Sequence, residues 1–173
     1  RSIAAIILFD VFHHLRYPGT ALREFFRVLE PGGRLIIFDP GYSLLGRIVF
    51  GLFHPEPLGL TEDITWEAPP QWSPDQMDYY AAQGNAQRIF FHKEIDLNPG
   101  EWRTVTVKRL AAISYVASGG YSKPQLYPGF LLPVMKTFDA LLSSIPGIFA
   151  TRLLVALQKT GNRFGRLDHK EIQ

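Results

Sequence analysis

Cysteine is absent from the chain, which removes disulfides, thiolate-held zinc and a cysteine nucleophile, and leaves the fold indifferent to redox compartment. Excess charge is absent too. The formal net charge is +2 and the basic residues are scattered, so no electrostatic footprint for a nucleic acid stands out and none is expected as a partner. No apolar run reaches the length of a membrane span, and the N-terminal residues lack the basic, apolar, small pattern of a signal peptide, so the expectation is a cytoplasmic protein without a stable membrane span. Internal repeats and low-complexity segments are lacking as well. What remains is 46% hydrophobic and 20% charged residues over 173 positions, the composition of one globular domain with a real core. The first residue is Arg1, and a strand pattern begins by about Ile3 with no cap or turn before it, as expected of a chain cut inside a domain.

The organising stretch runs from Asp10 to Asp39. Ile3 to Phe9 is a continuous apolar run, the pattern of a parallel strand covered on both faces. It ends in Asp10, and in open α/β sheets ligands sit outside the carboxyl ends of strands, which places Asp10, Phe12, His13 and His14 at the address of a site. Tyr17-Pro18-Gly19 breaks the chain, Thr20 is suited to N-cap a helix, and Leu22, Phe25, Phe26 and Leu29 fall on one helical stripe. Pro31-Gly32-Gly33 ends that helix in a tight reversal, and Leu35 to Phe38 is a second buried strand closing with Asp39-Pro40. A right-handed crossover makes the two strands parallel.

Beyond Pro40 the pattern loosens. Leu44, Leu45, Ile48, Val49, Leu52 and Phe53 form one helical face, read either as a helix packed on the domain or lidding a pocket, or as an interfacial contact with a lipid-linked substrate. The segment from His54 to Trp72 is rich in Pro, Glu and aromatics and resists a regular assignment. Ser73-Pro74-Asp75-Gln76 predicts a capped helix through about Gln83. A short strand is expected over Ile89 to Phe91, a half-exposed strand over Thr104 to Lys108 with a continuation over Ala111 to Val116, and a helix from Phe130 to about Ile145 stopped by Pro146-Gly147. Thr151 to Gln158 is a last strand, and the tail from Thr160 reads as frayed.

DVFHHL, ALREFFRVLEPGG and RLIIFDP together resemble the second half of the class I, Rossmann-like S-adenosylmethionine-dependent methyltransferases. The resemblance covers roughly the first quarter of the chain. It implies an α/β fold: the later strands of a seven-stranded sheet, with Ile3 to Phe9 as the fourth strand, Leu35 to Phe38 as the fifth, and Thr151 to Gln158 in the closing antiparallel pair. Residues 41–103 are then a variable, aromatic-rich excursion on the substrate side. Residues 104–159 close the sheet, and the whole is a single incomplete domain. S-adenosylmethionine is the implied cofactor, with Asp10, Val11 and Phe12 facing it and His13 or His14 facing the substrate. The family holds the cofactor on a glycine-rich loop after its first strand. Gly32-Gly33 and Gly119-Gly120 lack that G-x-G-x-x-G spacing, so the chain reads as the C-terminal portion of such an enzyme, inactive alone.

Methyl transfer is an in-line displacement, and a general base is needed only when the acceptor is a poorly ionised hydroxyl or a protonated amine. His13 and His14 are the candidates; the alternative for each is a structural histidine that bonds a carbonyl or packs. Asp10 is read equally as a strand-end residue bonding nearby amides, and Asp39-Pro40 as a structural turn. His54, Trp66 and Tyr79 are the candidate acceptor contacts, set against loop solvation and lid packing; Glu56, Glu62, Asp63, Trp72, Tyr80 and Tyr121 belong to the same surface. No repeated ligand spacing suggests a metal. The expected partner is a small-molecule, glycan or lipid-linked acceptor. A membrane-surface contact and self-association through the apolar edge of Ile3 to Phe9 are further expectations. The competing reading is a non-catalytic binding or scaffold domain on the same fold.

Overall fold

A computed structural model of the chain describes residues 3–76, 78–98, 100–120 and 123–161. Tyr121 and most of the tail lie outside the described residues. The apolar run Ile3–Phe9 forms strand β1, helix α1 spans Pro18–Val28, and strand β2 spans Leu29–Pro40. β1 and β2 are parallel, with Ile6 opposite Leu35 and Phe9 opposite Phe38, as the crossover rule requires.

Two local expectations, on the start of the helix and on the turn after it, are corrected in this unit. Tyr17, not Thr20, is the N-cap of α1, because Pro18 takes the first helical position, where its missing N–H costs nothing. Thr20 instead donates its hydroxyl to Glu67 and accepts from the Ala68 amide. Pro31-Gly32-Gly33 is a bulge inside β2: Leu29 pairs with Ile3 and Arg34 with Ala5, so Glu30 to Gly33 stand against Ala4 alone. Gly32 has φ +81°, and a Cβ on Gly33 would meet the Glu30 carbonyl at 2.8 Å, which is why both positions want glycine.

The sheet continues through β4 (Arg152–Lys159), antiparallel to β2, and then β3 (Trp102–Leu110), antiparallel to β4, in the order β1-β2-β4-β3. β1 is an edge strand of these four. Its outer face is open, with Ile7 68% exposed, so the strand expected to be covered on both faces is covered only in part and on one, where half-buried Ile6 and Leu8 pack against the core. The core lies against β2 and β4, where Leu35, Ile37, Leu153, Val155 and Leu157 meet Leu22, Phe12, Ile89, Phe90 and Trp102. Buried Lys159 donates from Nζ to the carbonyls of Phe26 and Leu29, and so satisfies orphan acceptors at the end of α1.

Helix α2 spans Leu44–Phe53, with the Ser43 hydroxyl accepting from the Gly46 amide as N-cap. It buries Gly46 and Phe50, and turns Leu44, Ile48, Leu52 and Phe53 outward, the reverse of a packed apolar face. The Ser73 cap forms, but only a 3-10 turn over Pro74–Gln76 follows it. Gln87–Phe91 is a π-helical turn rather than a strand, and it carries Ile89 and Phe90 into the core. Ile113–Ala117 is a short helix, α3, and the expected helix after Phe130 divides into a 3-10 turn at Gly129–Leu131, α4 at Leu132–Leu142 and α5 at Pro146–Phe149. Pro146 starts α5 instead of only stopping α4. Val134, Phe138, Leu141 and Ile145 are exposed. Among the described residues no helix is long and apolar enough to cross a membrane.

Candidate functional site

The carboxyl ends of β1 and β2 open into a cavity of about 420 Å3. Its floor is Phe9, Asp10 and Pro40. One wall comes from α2 through Val49, Phe50 and Phe53, and another from Tyr115 and Val116 of α3. His13, His14, His54, Glu56 and Gln83 line the remainder.

Asp10 ends β1 with φ +53°, a left-handed conformation that Asp tolerates better than most residues. It does not bond nearby amides through its side chain. Oδ1 is ion-paired with the guanidinium of Arg152, and Oδ2 accepts from the Tyr115 hydroxyl at 3.0 Å. Arg152 also lies 4.2 Å from the centre of the Tyr115 ring. The carboxylate at the cavity floor is thereby fixed by two elements far from it in sequence.

The chain then enters a 3-10 turn at Phe12–His14, which points successive side chains in different directions. Phe12 goes into the core, 0% exposed and 5.1 Å from the Phe90 ring centre, and Val11 faces outward. Neither of these two expected cofactor contacts lines the cavity. His13 and His14 do, with ring centres 4.1 Å apart.

Each histidine is oriented through its Nδ1. That atom of His13 lies 3.1 Å from Oδ2 of Asp39, and that of His14 lies 2.9 Å from the Tyr80 carbonyl. A carboxylate and a carbonyl only accept, so both Nδ1 atoms carry protons and both Nε2 atoms are left to face the cavity. Asp39 is 0% exposed; its other oxygen accepts from the Phe12 amide at 3.2 Å. It is a positioning residue more than a turn residue.

Glu56 meets the two free nitrogens. Oε2 is 3.4 Å from Nε2 of His13, and Oε1 is 3.7 Å from Nε2 of His14. The excursion is clamped to put it there: the Gln83 amide donates to the Pro57 carbonyl, the Gly84 amide to the Leu58 carbonyl, and the Ala82 amide to the His13 carbonyl. Gln87 fastens the next turn by bonding both the amide and the carbonyl of Tyr42. Burial lowers the His13 pKa, but the hydrogen bond and charge of Asp39, with the charge of Glu56, outweigh it and raise the pKa above the ordinary histidine value. Burial raises Glu56, yet the Tyr79 hydroxyl, donating at 2.5 Å, and the three neighbouring histidines bring its carboxyl below the usual range.

His54 has the opposite role. Its Nδ1 accepts from Nε2 of Gln83 at 2.9 Å and from the Glu56 amide at 3.3 Å, which puts its proton on Nε2. Burial keeps it neutral, with its pKa below the ordinary value. Tyr79 reaches the site through Glu56 and lies 5.6 Å from the His14 ring. Trp66 is elsewhere: it packs over Gly19 and lines a separate hollow of about 230 Å3 with Leu22, Arg23 and Trp102. The residues that sequence reasoning left aside are Asp39, Gln83, Tyr115 and Arg152. Only Asp39, an acid ending a buried strand, carried a signal of its own.

This geometry can orient an acceptor, hold a proton near Nε2 of either histidine, or hold a cation among three lone-pair donors. The family model described as "Methyltransferase domain" matches residues 1–37. No curated protein matches the chain. Residues 1–37, which include the turn that delivers Asp10, His13 and His14 to the cavity, are thus similar to part of a methyltransferase domain.

Proposed function

We propose that the protein transfers a methyl group from S-adenosylmethionine to a small-molecule, glycan or lipid-linked acceptor, and that this chain supplies the acceptor side of the site. The observation that carries the reading is the cavity at the carboxyl ends of two parallel strands, one of them and its following turn within the matched segment. In this reading β1 and β2 are the family's fourth and fifth strands, and β3 with β4 is its closing antiparallel pair. Residues 1–173 carry no G-x-G-x-x-G spacing for the nucleoside.

The displacement needs the acceptor oxygen or nitrogen in line with the methyl group in a pocket from which water is largely excluded. Val49, Phe50 and Phe53 give the cavity an apolar wall, and Leu52, 74% exposed, continues that surface outward. That continuity favours an acceptor with an apolar portion, and it suits contact with a membrane surface. His13, oriented by Asp39, is the general base for a hydroxyl acceptor: Nε2 takes the proton while Asp39 stabilises the imidazolium. His14 and Glu56 fix the acceptor beside it.

The test is calorimetric titration of S-adenosylmethionine into residues 1–173 and into the same chain lengthened upstream. Saturable binding by the longer chain only is the expected result. Binding by neither overturns the enzyme reading in favour of a scaffold domain.

A further inference from the structure

Four acceptor atoms from three residues converge at one side of the cavity, and the Tyr79 hydroxyl, donating to Glu56 Oε1 from outside the group, does not lie between the carboxylate and the imidazoles. His13 Nε2 and His14 Nε2 are unprotonated in the neutral rings, because each ring spends its proton on an obligate acceptor, Asp39 or the Tyr80 carbonyl. Facing them are the two oxygens of Glu56, 3.4 and 3.7 Å away. Lone pairs at those distances repel unless something positive lies among them. A proton can serve one nitrogen at a time. A cation serves all three groups together.

The dimensions fit a cation. One ligand atom from each of the three residues lies within 4.8 Å of the others. Ligands about 2.0–2.1 Å from a tetrahedral zinc ion lie about 3.3 Å from one another, close to the His13–Glu56 separation. The surroundings fit as well. Histidines that bind metal donate their second nitrogen to a carboxylate or a backbone carbonyl, the two partners found here. His54 stays out of the set because its Nδ1 is already occupied by two amide donors.

We propose that His13 Nε2, His14 Nε2 and Glu56 form a binding site for one borderline divalent cation of the zinc type. Two imidazoles and one carboxylate leave a coordination position on the cavity side, the ligand count of an open site rather than a closed structural one. Asp39 is its positioning residue. The site shares His13 Nε2 with the methyl-transfer reading, and a bound cation takes the lone pair that would accept the acceptor's proton, so the two uses alternate; cation binding itself needs neither cofactor nor acceptor.

The probe is Co2+, added to chelator-treated protein and followed by visible absorption, with Zn2+ as competitor. One Co2+ per chain is expected to give the intense d–d bands of a four- or five-coordinate site, lost when Zn2+ is added. His14→Gln and Glu56→Gln each weaken binding at least tenfold. Asp39→Asn weakens it about 10- to 100-fold at unchanged stoichiometry, and His92→Gln, outside the cluster, leaves it unaltered. Far-UV circular dichroism checks that each variant folds. Should a variant fail to fold, the parent protein still decides the matter: Zn2+ must shift the Nε2 resonances of His13 and His14 and leave those of His92 in place. Binding that ignores His14→Gln and Glu56→Gln, no saturable Co2+ spectrum, or unmoved Nε2 resonances each overturns the site.

Discussion

His13 Nδ1 and Asp39 Oδ2 lie 3.1 Å apart, joining the turn after β1 to the last residues of β2 inside a region closed to water. The contact ties the two ends of the crossover unit together and decides which nitrogen of His13 faces the cavity. Several measurements probe that arrangement and its supports.

Replacing Asp39 with Ala leaves the Phe12 amide and His13 Nδ1 without their acceptor in a buried setting. The expected cost is about 1–3 kcal/mol, read as a lower denaturation midpoint in urea. An unchanged midpoint would show that water or another group replaces the carboxylate.

Arg152 is 3% exposed and paired with Asp10. Arg152→Met strands a carboxylate whose side chain is only partly open to solvent, and is expected to destabilise the fold by about 3 kcal/mol. Asp10→Asn in the Arg152→Met background restores part of the loss. A double-mutant cycle is expected to give a coupling of about 0.5–3 kcal/mol; strict additivity would contradict the pairing.

Gly19 lets Trp66 lie against the start of α1, where an added Cβ would fall 2.5 Å from the indole. The contact is rigid on both sides, since the Gly19 amide also donates to the Trp66 carbonyl at 2.9 Å. Gly19→Ala is therefore expected to destabilise by about 1–3 kcal/mol despite improving helix propensity. A stabilised variant would mean that the indole moves aside freely.

The outer edge and face of β1 present Ile3, Ile7 and Phe9 to solvent. An open apolar edge strand templates further pairing, so the chain is expected to self-associate as its concentration rises, and Ile7→Lys to reduce this. Light scattering is the measurement, and a monomer at every concentration removes the prediction.

The crossover unit was legible because its signals are local: an apolar run, a helical stripe, a proline and two glycines, another apolar run. Burial was less so. The same apolar run that marks β1 does not say how many neighbours cover it, and the stripes on α2 and α4 do not say whether anything packs on them. Leu44, Ile48 and Val134 look like core residues until the sheet order is known. The predicted helix after Ser73 had a correct cap and an incorrect length, because a cap fixes where a helix starts and nothing about how far tertiary contacts carry it. Glu56 is the sharpest case. It read as a loop acid, and only the pairing of residues 57–58 with 83–84 brings it over the adjacent histidines.

β4 lies between β2 and β3 and pairs with both. During synthesis, residues 152–159 emerge after every other described strand, so the sheet has no template for β3 until nearly all of the described chain has left the ribosome. Sequence-distant pairing of this kind slows folding. Until β4 arrives, the β1–β2 unit and the excursion wait as separate pieces with apolar surface open to chaperones and to each other.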